Sequence, residues 1–300
     1  MDVRRRSGKL ARAETRWGYF FIMPCIIGLV LFAFGPMIFS IYISLSEWNI
    51  ITPVRFIGIT NYINAFKDPL IPHSLGVTFY YCVLAVPLGL VVTFLLANLL
   101  NTGVKGMSLF RTIYYIPAIV PAVASSALWM NMFSIQYGLI NNVLKLLNLP
   151  TFQFLNSRSQ VIPSMVIMSV WGAGSGVIIY LAGLQGISKT LYEAAEIDGA
   201  GAFRRFFHIT IPMMTPIIFF NFLMGIIGGL QTFGSAYIMT NGGPANASLF
   251  ISILIYRSAF TYFRMGYASA MSWILFVIIA ILTVVVFRTS NRWVFYESKD

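Results

Sequence analysis

Few residues in this 300-residue chain have the types and spacing that chemistry needs. Gly172-Ala-Gly174-Ser175-Gly176 resembles a serine-nucleophile turn. It fails the pattern, because Ala173 and Val177 stand where glycines would flank the serine. A nucleophile also needs a neighbouring base. The two histidines, His73 and His208, fall in polar loops, and no Asp, Glu, Lys or Arg lies well inside an apolar stretch. Cys25 and Cys82 sit alone in apolar stretches and read as buried thiols, with no disulfide or metal framework. No Gly-x4-Gly-Lys-Ser/Thr loop is present to cradle phosphates. What the apolar stretches do hold is neutral hydrogen-bonding chemistry: Trp171, Ser175 and Tyr180 in one, and Asn221, Gln231 and Thr232 in another. Such groups suit an uncharged, hydroxyl-rich solute, and they serve helix packing equally well.

The elements that carry these residues are membrane helices. Hydrophobic residues make up 58% of the chain and charged residues 10%, against about 25% charged in soluble domains. Mean hydropathy is +0.80. This composition excludes a disordered chain, a coiled coil and a disulfide scaffold, and it disfavours a soluble enzyme. A spanning helix needs about 20 mostly apolar residues. Six stretches qualify, near 17–45, 74–100, 110–133, 160–184, 212–238 and 268–288. The first is too long for the apolar core of a cleavable signal peptide. The sequence therefore divides into a basic tail (1–16), one transmembrane domain (17–288) and a second tail (289–300).

The chain carries 20 Lys and Arg against 9 Asp and Glu, a net charge of +11. Because the basic residues are scattered between apolar stretches, they form no nucleic-acid-binding face. They report topology instead. With both termini cytoplasmic, 14 of the 20 fall inside: Arg4, Arg5, Arg6, Lys9, Arg12, Arg16, Lys105, Arg111, Lys189, Arg204, Arg205, Arg288, Arg292 and Lys299. The six outside are Arg55, Lys67, Lys145, Arg158, Arg257 and Arg264. The missing intramembrane charge argues against an ion-coupled transporter, which needs a relay at membrane depth. Proline and glycine break the spans instead: Pro87, Pro117 and Pro121 interrupt the second and third, and Pro212, Pro216, Gly225, Gly228 and Gly229 punctuate the fifth.

The cytoplasmic connection 186–212 is the most informative. Thr190 and Glu193 make a capping box, so a helix starts there. Leu191, Ala194, Ala195 and Asp198 give it a narrow small-residue face, and Gly199 is a stop. A second short helix, about 200–208, leads to Pro212 at the start of the fifth span, where a missing N–H is tolerated. A short exposed helix between two spans reads as an interfacial elbow or as a docking helix.

Here the sequence resembles the EAA loop of ABC importer permeases. Glu193-Ala194-Ala195, Gly199, Ile209 and Ile211-Pro212 keep the family's spacing over 193–212, with Ile211 where leucine is usual. Three further segments are similar to the first permease of carbohydrate importers of the maltose and glycerol-3-phosphate type: Phe56-Ile-Gly58-Ile-Thr-Asn61-Tyr62, Thr240-Asn-Gly-Gly-Pro244, and Tyr256-Arg-Ser-Ala-Phe260 with Met265-Gly-Tyr-Ala-Ser-Ala270. The resemblance covers about residues 17–292.

The resemblance implies an all-α integral membrane protein of the type I importer permease fold, with six spans. It implies a non-enzymatic subunit with no cofactor of its own, ATP and Mg being held by a partner ATPase dimer. A second homologous permease, an extracytoplasmic solute-binding protein, a sugar and the lipids of the bacterial or archaeal cell membrane are the other implied partners, with no nucleic acid. Glu193, Ala194, Ala195, Asp198, Gly199, Ile209 and Pro212 would couple to the ATPase. Counted from Glu193 and from the Thr240–Pro244 segment, the solute contacts fall in 168–175 and 225–232, with candidates Met168, Trp171, Ser175, Gly228, Gly229, Gln231 and Thr232. A permease for a non-sugar solute, a stand-alone secondary transporter and a membrane enzyme are the rival readings.

Overall fold

The computed structural model describes residues 9–102, 104–172 and 174–295, without the side chains of 9–11 and 175. Arg4, Arg5, Arg6 and Lys299 of the charge count, and the Ser175 side chain, lie outside the described residues. Helices form almost everywhere, as they must where a backbone in lipid satisfies its own hydrogen bonds. In chain order they are α1, with the apolar span Arg12–Ser44, α2 (Thr60–Lys67), α3 (Leu70–Leu100), α4 (Met107–Ile119), α5 (Ala122–Met132), α6 (Leu139–Leu146), α7 (Val161–Trp171), α8 (Gly174–Gly186), α9 (Lys189–Ile197), α10 (Ala202–Leu230), α11 (Gly234–Thr240), α12 (Ile251–Tyr256) and α13 (Met265–Ser290). Among the described residues, α1, α3, α10 and α13 are each long and apolar enough to cross a membrane. The pairs α4–α5 and α7–α8 bring the number to six if each is one bent span.

The expected spans need four corrections. The third is not a single helix: α4 and α5 meet at 97°. Val120 is extended (φ −69°, ψ 128°) before Pro121, the conformation that a following proline imposes. Pro87, by contrast, does not interrupt its span, since α3 runs through it. The fourth span bends by 50°, with Gly172 closing α7. The fifth begins at Ala202 and ends at Leu230 instead of covering 212–238, and residues 234–240 form the separate α11. The short helix expected at 200–208 is therefore the first part of α10. A π turn, Phe206–Thr210, precedes Pro212 and carries the helix past it. The same device stands at Val30–Phe34, ahead of Gly35-Pro36 in α1. A proline has no N–H to give and crowds the carbonyl one turn back; a π turn, with its longer bonding interval, re-routes those groups.

The chain divides into two units, residues 1–67 with 258–273, and 68–257 with 274–300. In the first, the loop after α1 is knotted to the helix end. Ser46 and Glu47 pair antiparallel with Phe56 and Arg55. The buried Asn61 amide donates to the carbonyls of Ser44 (3.0 Å) and Ser46 (2.9 Å), and the Ser44 and Tyr62 hydroxyls share a bond of 2.8 Å. Gly58 holds φ +62°, and Gly266 packs so closely on the Ser46 carbonyl that a Cβ would collide with it. Met265 N–H donates to Trp48 O at 2.9 Å. Those contacts use Gly58, Asn61, Tyr62 and Gly266, the residues that carry the resemblance in this region. Cys25 is exposed on α1, which corrects the reading of it as buried; Cys82, in the second unit, is buried.

In the second unit α3 is central, packed by α7, α8, α10 and α12. Its C-terminal carbonyl at Leu100 accepts two bonds from the Arg111 guanidinium, at 2.8 and 3.2 Å, a cation where the helix dipole is negative. An apolar cluster of Phe94, Ala97, Leu100, Val177, Tyr180, Leu184, Ile187 and Met214 joins α3, α8 and α10 at their ends nearest α9.

Candidate functional site

Two features of the second unit carry the expected function. The first is a cavity of about 380 Å³ between α3, α7, α8 and α10. From α3 come Tyr81, Ala85, Gly89 and Thr93, one small or polar residue every helical turn. From α10 come Asn221, Gly225, Gly228 and Gly229, followed by Thr232. Ser169 comes from α7, and Gly176 and Tyr180 from α8. Among the described residues, no charged side chain is in this lining.

The glycines divide the work. A Cβ at Gly225 would meet Val86 at 3.0 Å, one at Gly229 would meet Cys82 Sγ at 3.0 Å, and one at Gly176 would meet Thr93 at 2.9 Å. These three let α10 and α8 approach α3. A Cβ at Gly228 would meet nothing within 4 Å, so this glycine leaves open space.

Of the expected solute contacts, the cavity takes Gly228, Gly229 and Thr232. It does not take Met168, Trp171 or Gln231. Met168 packs against the cluster of Trp129, Phe133, Phe154 and Met239. Trp171 is set edge-on to Trp129, ring centroids 5.9 Å apart. Gln231 caps α10 and is exposed. The α7 residue that reaches the cavity is Ser169, one position along from Met168 and so about 100° around the helix. Tyr81, Thr93 and Ser169 were absent from the expected contacts, whereas Asn221 and Tyr180 were named only as neutral polar groups of their spans. The four-residue spacing of Tyr81, Ala85, Gly89 and Thr93 is the signal in the sequence that would have found the α3 face.

The second feature is the connection from α8 to α10. The cap of α9 is Ser188, not Thr190: its Oγ accepts the Thr190 N–H at 3.3 Å. The C-terminus matches the glycine stop. Gly199 has φ +77°, its N–H donates to Glu196 O at 3.0 Å, and Ala200 N–H donates to Ala195 O at 2.8 Å. This pair of bonds is a Schellman motif, which a left-handed glycine makes possible. Glu196 pairs with Arg205 across the turn.

One face of α9 is anchored. Tyr192 packs on the apolar cluster, with Ile209 beside it, and its hydroxyl bonds Thr210 Oγ1 at 2.9 Å. The other face is free. Glu193, Ala194 and Asp198 are exposed and Ala195 is half-buried, while Ile197 is 88% and Phe203 84% exposed. Pro212 is half-buried in α10. Tyr192→Phe is expected to lower stability by about 1 kcal/mol, a melting-temperature fall of about 2–4 °C in thermal unfolding of the purified chain.

Residues 85–294 match the family described as binding-protein-dependent transport system inner membrane component. The chain belongs to this family. It is 38% identical over 304 residues to the probable ABC transporter permease protein YesP of Bacillus subtilis, covering 100% of this chain and 98% of that one. It is 32% identical over 290 residues to the trehalose/maltose transport system permease protein MalF of Thermococcus litoralis, covering 95% and 97%. A bacterial alginate ABC transporter, solved in complex with an alginate pentasaccharide-bound periplasmic protein, shares the fold, with a TM-score of 0.84 at 23% identity over 95% of this chain and 97% of that one. The permease family expected from Glu193–Pro212 is thus the family found. The chain is a multi-pass membrane subunit of a transport system, and its part in that system is not catalytic.

Proposed function

We propose that this chain is one of two permeases in an ATP-driven importer for a sugar or oligosaccharide, with six spans and both termini in the cytoplasm. An extracytoplasmic binding protein delivers the solute to it. A cytoplasmic ATPase dimer, holding ATP and Mg, docks on α9. The observation that carries this reading is the cavity, whose polar groups are hydroxyls of Tyr, Ser and Thr and one Asn amide. Such groups donate and accept in the pattern a sugar presents, without the cost of a charge at membrane depth. The trehalose and maltose in the name of the Thermococcus litoralis relative agree with it.

The docking reading rests on α9. Exposed Ile197 lies one turn from Glu193 on an element too short to be stable alone, and exposed Phe203 follows at the start of α10. Apolar residues rimmed by charge, on a helix held by Tyr192 and Ile209, suit a protein partner. Force applied at α9 would pass through Tyr192 and Ile209 into the apolar cluster that joins α3, α8 and α10. Coexpression with the ATPase and second permease from neighbouring reading frames tests this: the intact chain is expected to co-purify with the ATPase, and Glu193→Lys to lose it while keeping the second permease. Equal recovery of ATPase by both forms would refute the docking assignment.

A further inference from the structure

The cavity's polar residues are not spread evenly. They form two tiers, each with one residue from α3, one from the α7–α8 pair, and one from α10 or the turn that ends it. The outer tier is Tyr81, Ser169 and Thr232, in which the Ser169 hydroxyl donates to Val166 O at 2.7 Å and the Thr232 hydroxyl to Gly228 O at 3.3 Å. The other, nearer α9, is Thr93, Tyr180 and Asn221. Ala85, Val86, Gly89, Leu90, Met224, Gly225, Gly228 and Gly229 lie between them. Twelve positions separate Tyr81 from Thr93 on α3, about 18 Å of helix, and Asn221 lies nine positions, about 14 Å, before the end of α10 at Leu230. The Ser169 and Thr232 hydroxyls of the outer tier thus have backbone partners. Tyr180 of the inner tier lines the cavity and is 1% exposed, yet its hydroxyl is shut off from solvent and has no hydrogen-bond partner among the described residues. Across the same lining the Asn221 amide donates one of its two N–H groups to Ile217 O at 2.9 Å, and its side-chain oxygen is an acceptor. Phe94 packs edge-on against Tyr180, 5.4 Å between ring centroids, within the apolar cluster that reaches α9.

An orphaned buried hydroxyl destabilises the state that contains it, and phenylalanine would fill the same volume without that cost. We propose that the missing partner is a hydroxyl of the transported sugar, and that Thr93, Tyr180 and Asn221 form an inner saccharide subsite, occupied when the cluster beneath it parts. This rests on the carbohydrate reading above and adds a second site to it. The solute then passes between two hydrogen-bonding tiers across an apolar band, and the Tyr180 hydroxyl is freed only in the state that releases the solute toward α9.

The test uses the complete importer in lipid vesicles, with both permeases, the ATPase and the binding protein, and a panel of maltose, trehalose, lactose and raffinose. For sugars that the wild type takes up, Tyr180→Phe is expected to lower the maximal rate about five- to tenfold, the equivalent of one hydrogen bond. The apparent KM for the loaded binding protein should stay unchanged, and the melting temperature should stay level or rise. Thr93→Val, which is isosteric, should lower the rate in the same sense. A wild-type rate in Tyr180→Phe with a raised melting temperature would overturn the proposal, since the hydroxyl would then be a tolerated defect. A wild type that takes up no sugar of the panel counts against the carbohydrate reading itself, and the inner subsite falls with it.

Discussion

Gly199→Val is expected to abolish transport while leaving the chain in the membrane at normal abundance. The cause is conformational. Gly199 holds φ +77°, and a Cβ built there meets nothing within 4 Å. Crowding is therefore not the cause. A left-handed conformation costs a residue with a side chain about 1–2 kcal/mol, and β-branched valine is the worst suited. The two bonds that close α9, from Gly199 to Glu196 and from Ala200 to Ala195, depend on it. Without them the chain leaves α9 in another direction, and the exposed face with Glu193, Ala194 and Ile197 is no longer presented at a fixed angle to α10. Gly201→Val is the control. Gly201 has φ −67° and equally open space, so valine fits there and transport should persist. Uptake into vesicles containing the complete importer, normalised to permease content, measures both. Normal uptake by Gly199→Val would show that the turn has no part in coupling.

Gly228→Phe should be as severe, for the opposite reason. Its Cβ enters open space at the cavity wall, so the ring occupies the path without displacing a neighbour. Transport should be lost at unchanged abundance and unchanged melting temperature. Gly229→Phe makes the contrast. There a Cβ already presses on Cys82 Sγ, and a larger group must push α10 from α3, so abundance itself should fall. If both variants were equally unstable, Gly228 would be a packing glycine and the cavity would not be the path.

The sequence made the cytoplasmic connection legible because its signals are local. A helix over 189–197 and a glycine stop at 199 follow from neighbours along the chain, and only the cap was misassigned, to Thr190 instead of Ser188. The cavity was harder to read. In a wholly apolar span the hydrophobic pattern does not say which face looks inward, so Met168 and Trp171 were chosen where Ser169 reaches the cavity. The bend near Gly172 compounds this, since one helical period does not carry across it. Prolines were ambiguous for a related reason. Pro87 stays inside α3, Pro121 breaks a span, and Pro212 is passed by a π turn; packing by other helices decides among these outcomes. Gln231 was expected within the fifth span, but α10 ends at Leu230.

The proposed function is transport of a neutral solute with energy supplied by another subunit. The most direct measurement is sugar uptake into sealed vesicles holding this chain, its partner permease, the ATPase and the binding protein, with and without ATP in the compartment that holds the ATPase. The expected result is uptake that requires ATP and the binding protein and is indifferent to collapse of proton and sodium gradients. Uptake that persists without ATP and stops when an ion gradient is collapsed would contradict it.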